Sequence, residues 1–259
     1  RDFHWIRRHI DGQAVTLSDV TSASAVLGVM GPNSRSLINK VSTADLGNDA
    51  FPFGHFQEIE IGYAMVRAMR VTYVGELGWE LHIPTEFALH VYDTLMEAGK
   101  EDGLKLVGMH AMNSLRIEKA YRHWGHDITD EDTPLEAGLG FAVAFDKAGG
   151  FIGRDALLRQ REAGVKKRLV QFLLNNPEPL LYHNEPIWRD NQIVGYIASG
   201  MYGHTLGAAV GLGYVNHEDG VNAGFVKSGQ YEIEVAGVRV PATASLRPMY
   251  DPSNSRIRA

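Results

Sequence analysis

Apolar and polar positions follow two rhythms along this chain, and the switch between them divides it. In the first part, helical spacing alternates with strand-like runs. Phe3, Ile6 and Ile10 stand near helical spacing. Residues 15–20 and 25–30 predict strands, the second apolar enough to be buried. Gly31-Pro32-Asn33-Ser34 opens a predicted helix through Val41, since proline is tolerated in a first turn. An aromatic loop at 51–55 leads to strands at 56–61 and 65–73. Thr85 is a candidate cap for a helix reaching Lys100, with Phe87, Val91, Leu95 and Met96 as its apolar stripe. A helix over 110–121 would put Ala111, Leu115 and Glu118 on one side. Residues 133–140 read as a tight turn or a single helical turn, 141–145 as a strand and 153–163 as a helix.

From Leu169 short β-like runs recur at 169–174, 186–188, 193–198, 208–215, 231–235 and 238–246. Turn signals such as Asp190-Asn191, Glu218-Asp219-Gly220 and Ala236-Gly237 separate them. That texture predicts an all-β barrel or sandwich, with a boundary within 149–167. The expected organisation is therefore an α/β domain over 1–155 and a β domain over 165–259.

The stretch Thr72-Tyr73-Val74-Gly75-Glu76-Leu77-Gly78-Trp79-Glu80-Leu81-His82 concentrates carboxylates, aromatics and glycines at a corner between the predicted strand ending at Tyr73 and a short one predicted at 81–84. On spacing alone it reads as a turn whose glutamates face water and whose Tyr73 and Trp79 fill a core. The competing reading is a surface for a flat, hydrogen-bonding ligand, because a carboxylate accepts two parallel N–H bonds from an aminopyrimidine edge.

Composition narrows the chemistry. With 44% hydrophobic and 22% charged residues the chain is ordinary for a folded protein, and a net charge of −6 argues against a nucleic-acid partner. No cysteine is present, which removes disulfides, thiolate nucleophiles and cysteine-held metal clusters, and fits a reducing compartment. No apolar run approaches membrane-spanning length. The G-x-G-x-x-G, G-x-x-x-x-G-K-[ST], H-E-x-x-H and G-x-S-x-G patterns are missing, so dinucleotide, NTPase, zincin and serine-hydrolase readings fall away. His123, His126 and Asp127 have partial metal-ligand spacing but no third-ligand motif, and read as loop histidines making hydrogen bonds. Arg116 and Glu118 read as an internal ion-pair network, with ligand contact as the alternative. Tyr250 either reaches back to a site or anchors a tail.

Val29-Met30-Gly31-Pro32, Tyr73-Val74-Gly75-Glu76-Leu77-Gly78-Trp79-Glu80, Ser114-Leu115-Arg116-Ile117-Glu118-Lys119 and Thr133-Pro134-Leu135-Glu136-Ala137-Gly138-Leu139 together resemble the aminomethyltransferase (glycine-cleavage T-protein) family. Glu118-Lys119-Ala120-Tyr121-Arg122-His123-Trp124 and Phe225-Val226-Lys227-Ser228-Gly229 look like the folate-handling half of sarcosine and dimethylglycine dehydrogenases. The resemblance covers nearly the whole chain and reverses the order of the two readings of the 72–82 stretch. It implies an α+β cloverleaf of subdomains around a tetrahydrofolate site, followed by a C-terminal β-barrel. It implies Glu80 as the residue holding the pterin and Tyr73 as a folate contact, with Trp124, Arg116 and Tyr250 as further folate-binding candidates. T-proteins carry a folate-contacting arginine where this chain has Met112, which favours the dehydrogenase branch. The family's catalytic aspartate lies upstream of anything in this sequence, so no catalytic residue is assigned.

The resemblance further implies a larger flavoprotein with FAD in an absent N-terminal half. An N-methyl amine would be oxidised there, and its iminium or formaldehyde would pass to tetrahydrofolate. The expected location is bacterial cytoplasm or mitochondrial matrix. The alternative is a stand-alone folate-dependent aminomethyltransferase or demethylase. A non-catalytic iron–sulfur assembly relative would need a cysteine that this chain lacks.

Overall fold

The computed structural model describes residues 1–259. The elements run α1 (Asp2–His9), β1 (Ser24–Met30), α2 (Ser34–Asn39), β2 (Phe56–Ile61), β3 (Ala64–Met69), β4 (Gly78–Pro84), α3 (Ala88–Ala98) and α4 (Met109–Glu118). They continue as α5 (Arg154–Ala163), β5 (Lys167–Leu174), β6 (Pro186–Arg189), β7 (Gln192–Gly203), β8 (Ala208–Asn216), α6 (Ala223–Ser228), β9 (Tyr231–Val235) and β10 (Val238–Ser245). The chain divides into two compact units, one of Arg1–Thr72, Glu76–Lys105 and Ile257–Ala259, the other of Tyr73–Gly75 and Leu106–Arg256. No helix is long and apolar enough to cross a membrane.

In the first unit an antiparallel sheet has the order β1-β4-β3-β2. Strand alternation sends Trp79, Leu81 and Ile83 of β4, with Ala64, Val66 and Ala68 of β3, to one face. There they form a core with Leu37 and Ile38 of α2 and Val91 and Leu95 of α3. The opposite face carries Val26, Phe56, Met65 and Met69, all substantially exposed.

In the second unit six strands close into a barrel, β10-β5-β8-β7-β6-β9. Closure removes the unpaired edges that an open sheet presents. Its hairpins follow the turn residues: Asp190 and Asn191 between β6 and β7, and Ala236 and Gly237 between β9 and β10, all have positive φ. That is the backbone a two-residue primed turn requires. Gly195 lies where a Cβ would fall 1.8 Å from the Tyr214 carbonyl oxygen, so only glycine lets β7 approach β8 there.

The predicted α+β class and barrel stand, and four local readings are corrected. Residues 15–20 form no strand: Val15 and Val20 are exposed, and Asp19 instead accepts from the N–H and hydroxyl of Thr21. Apolar alternation makes a strand only where an edge is available to pair. Residues 141–145 are likewise not a strand; Gly140–Ala142 is a 3-10 turn, and Phe141 is 87% exposed. A capping box before it sets the chain's direction, Thr133 N–H donating to Glu136 and Glu136 N–H to the Thr133 hydroxyl. Thr85 caps nothing, its hydroxyl donating to the Ser22 carbonyl. In α4 the buried positions are Ser114, Arg116, Ile117 and Glu118, whereas Ala111 is exposed and Leu115 only half-buried. Gly78, Trp79 and Glu80 belong to β4, not to the turn.

Candidate functional site

Within the first unit, Glu80 is the carboxylate that strand geometry sets in the middle of the open sheet face, between β1 and β3. Its neighbours Trp79 and Leu81 are completely buried, so Glu80 points to the open face, where its side chain is 36% exposed. Its cross-strand partners are Gly28 on β1 and Met69 on β3, and Phe56 lies opposite Met69 on β2. Paired residues in antiparallel strands share a face. The carboxylate therefore sits between a position with no side chain and a short apolar row. A Cβ on Gly28 would lie 3.4 Å from Met30 Cε, so Met30 borders the same gap. His82 Nε2 is 3.9 Å from Glu80 Oε2 and pairs with it only when protonated. Between β1 and β3 this face offers the Glu80 carboxylate, a side-chain-free strip and apolar thioether and phenyl surface, while Glu58 farther across on β2 is met by Arg67 at 3.6 Å. A flat ligand with a donor edge fits that description. Trp79, by contrast, fills the core and presents no ring here.

In the second unit Tyr73 leads a short segment against the end of α4. Its hydroxyl donates to the Arg122 carbonyl at 3.0 Å, and its ring lies nearly parallel to that of Tyr121, centroids 6.2 Å apart. Burial pushes the Tyr73 phenol up, with Asp127 adding to the rise and Arg116 opposing it. Burial also raises Tyr121. Both therefore remain neutral donors at ordinary pH. Gly75 has φ +77°, and a Cβ there would press on Lys119 Cβ, Cγ and Cδ at 3.0–3.2 Å. Glycine is needed for both reasons.

Arg116 is almost fully buried and forms an ion pair with the buried Asp127. Its Nε donates to Asn113, its other Nη1 bond goes to the Tyr121 carbonyl, and Nη2 donates to Ser199. The internal-network reading of Arg116 thus describes its contacts. Asp127 also accepts from the His123 N–H, closing the loop that carries Trp124, which is 53% exposed. Glu118 accepts from the N–H groups of Thr205 and Leu206. No three His, Asp or Glu side chains come together in metal-binding geometry.

Tyr250 is half-buried, and its N–H donates to the Glu118 carbonyl at 3.3 Å. The next residue, Asp251, pairs with Lys119 at 3.0 Å, both side chains being buried. Spacing did not reveal this pair, because 132 residues separate its members. Burial pushes the Asp251 carboxyl up, but hydrogen bonds from Lys119 and Ser255 outweigh it and hold it at about 2. A depressed carboxyl stabilises the fold above its unfolded pKa of about 4 and loses that contribution as pH falls through the folded value. The Tyr250 segment should accordingly stay docked down to about pH 4 and release between pH 4 and 2, as read by tyrosine fluorescence. In Asp251→Asn this transition should disappear.

Residues 1–147 match the GCVT N-terminal domain, and residues 167–251 match the glycine cleavage T-protein C-terminal barrel domain. The chain belongs to the glycine-cleavage T-protein family. It is 41% identical over 254 residues to a 4-methylaminobutanoate oxidase (formaldehyde-forming) of Paenarthrobacter nicotinovorans, covering 98% of this chain and 30% of that protein. It is 41% identical over 244 residues to the mitochondrial sarcosine dehydrogenase of Homo sapiens, covering 93% and 26% respectively. The chain thus spans under a third of these relatives' length. The crystal structure of glycine cleavage system aminomethyltransferase T from Bartonella henselae superposes with a TM-score of 0.79 at 22% identity, over 97% of this chain and 66% of that one. At that identity the likeness concerns the T-protein fold alone.

The sequence-selected residues fall into two groups. Glu80 lies on the sheet face of the first unit, while Tyr73, Arg116, Trp124 and Tyr250 lie in the second. Tyr73, Arg116 and Tyr250 cluster around the end of α4 through Tyr121, Arg122 and Glu118.

Proposed function

We propose that this chain is the tetrahydrofolate-binding part of a larger FAD-dependent dehydrogenase or oxidase of N-methyl amines, accepting the one-carbon unit onto the folate. In this reading 1–155 is the folate-binding domain and 165–259 a C-terminal β-barrel domain. The observation that carries it is Glu80: a partly exposed carboxylate on a sheet face, beside the side-chain-free Gly28, in the family's Tyr-x-Gly-Glu-x-Gly-x-Glu segment. The pterin's amino group and ring N–H would donate to the two oxygens, with Met30, Met69 and Phe56 against the ring. By the family resemblance Tyr73, Trp124 and Tyr250 of the second unit are further folate contacts, Tyr73 through a phenol that burial keeps neutral. Arg116, whose charge Asp127 neutralises, would shape that region through Ser199 and Asn113.

Flavin chemistry is assigned to the rest of the whole protein, since this chain carries no dinucleotide-binding pattern. The folate side receives an iminium or formaldehyde derived from the amine, and confinement raises its effective concentration at the folate amine. Residues of this chain bind and orient; none is assigned proton transfer. The whole protein belongs, on this reading, in bacterial cytoplasm or the mitochondrial matrix.

Isothermal titration with 5-formyltetrahydrofolate should give saturable, micromolar-range binding, roughly −8 kcal/mol. The chain alone should not produce methylene-tetrahydrofolate from formaldehyde faster than the uncatalysed reaction. Absence of binding, or robust turnover by this chain alone, would sink the proposal.

A further inference from the structure

We propose that a histidine-lined cavity in the second unit receives a small carboxylate, and holds it more tightly as pH falls from 8 toward 6. The cavity, of about 280 Å³, is lined by His110, Asn113, Arg116, His123, His126 and His183, with Tyr182 and Ser199 completing its polar wall. Every polar group in that wall can donate a hydrogen bond, and no carboxylate lines it. Four of the five Arg116 N–H groups are spoken for by Asn113, the Tyr121 carbonyl, Asp127 and Ser199, leaving one on Nη2. The Ser199 hydroxyl oxygen already accepts from Arg116, so its proton is available to a ligand. A donor-rich concavity that holds no carboxylate of its own suits an acceptor-rich, anionic occupant.

Charge decides the class. Arg116, the cavity's sole permanent cation, is cancelled by Asp127, so what remains is imidazole. Weakly charged imidazoles suit a carboxylate rather than a phosphate dianion, which is usually met by unpaired Arg or Lys. The groups facing the histidines are Arg116 from α4, His126 and Asp127 from the following loop, and Tyr182 and His183 from the segment before β6. His123 and His126 rings lie 4.8 Å apart. Burial first, then Arg116 and His126, holds His123 below the usual histidine range, with Asp127 opposing. Charging neighbouring imidazoles together is unfavourable unless an anion sits among them. Binding and protonation therefore reinforce each other, and affinity rises as pH drops.

The carboxylate has two sources, a free dicarboxylate or the glutamyl tail of a reduced folate; the second rests on the proposed function. Titration with glutarate should show about tenfold tighter binding at pH 6 than at pH 8. NMR should show imidazole pKa values rising when glutarate is present. His110, His126 and His183 are exposed, so the double variant His110→Gln, His126→Gln should melt like the parent while losing that pH dependence. Triglutamyl 5-formyltetrahydrofolate exceeding the monoglutamyl form at pH 6, in the parent but not the double variant, identifies the tail as occupant. Equal affinities identify the free dicarboxylate. Glutarate binding that is undetectable, independent of pH, or unaltered in the variant overturns the inference. Normal glutarate binding with no folate binding at all sinks the proposed function and leaves this site standing.

Discussion

Glu80→Gln should weaken 5-formyltetrahydrofolate binding by about 10- to 100-fold while leaving the melting temperature unchanged. The substitution keeps size and shape but replaces a two-oxygen acceptor with a group that accepts at one end and donates at the other. Losing a charge-assisted hydrogen bond costs about 1.5–3 kcal/mol, which is that range in affinity. Stability should be spared because the side chain is 36% exposed and lies on the face opposite the buried row of Trp79, Leu81 and Ile83. Gly28→Val supplies the steric counterpart. It fills the strip beside the carboxylate near Met30, so it should weaken binding with Glu80 intact. Wild-type affinity in both variants would show that the ligand binds elsewhere.

Asp127→Ala should cost about 3–5 kcal/mol of folding stability, a large share of the 5–15 kcal/mol typical of a domain. Arg116 and Asp127 have side chains 3% and 0% exposed, so removing the carboxylate strands a nearly buried guanidinium without its counter-charge. The His123 N–H would lose its acceptor too. Urea denaturation of the second unit's transition measures the loss. Restoring volume without charge in the double variant Arg116→Met, Asp127→Leu should recover much of it, since paired burial of ions carries a desolvation cost that an apolar pair avoids. A loss below about 1 kcal/mol in Asp127→Ala would mean the pair is hydrated in solution.

The barrel was the most legible part of the chain. The β6–β7 and β9–β10 hairpins carry turn residues that take positive φ between runs of β-formers, so local chemistry and global topology agree there. The failures are equally physical. Residues 15–20 and 141–145 have strand-like composition but no partner edge, and a strand without a partner leaves its hydrogen bonds to water. The side of α4 that holds Ala111, Leu115 and Glu118 does not identify its buried residues, because Arg116 and Glu118 are buried with Ser114 and Ile117. The burial of Arg116 and Glu118 depends on Thr205, Leu206, Ser199 and Asp127, distant in sequence and invisible to any local window.

For the candidate site the same division applies. The Tyr-x-Gly-Glu-x-Gly-x-Glu segment, the absence of cysteine and the strand rhythm were properties of the sequence alone, and with the family's motifs they indicated a T-protein-like α+β chain. Which of its carboxylates faces outward was settled by the register of β1, β4 and β3, which sets Glu80 beside Gly28 and sends Trp79 inward. The Lys119–Asp251 pair and the cavity of His110, His123, His126 and His183 likewise exist only once the chain has folded. Period and composition report what each residue does to its neighbours in sequence. Pairing register and burial are set by contacts between segments far apart, and those are what bring charges and imidazoles together.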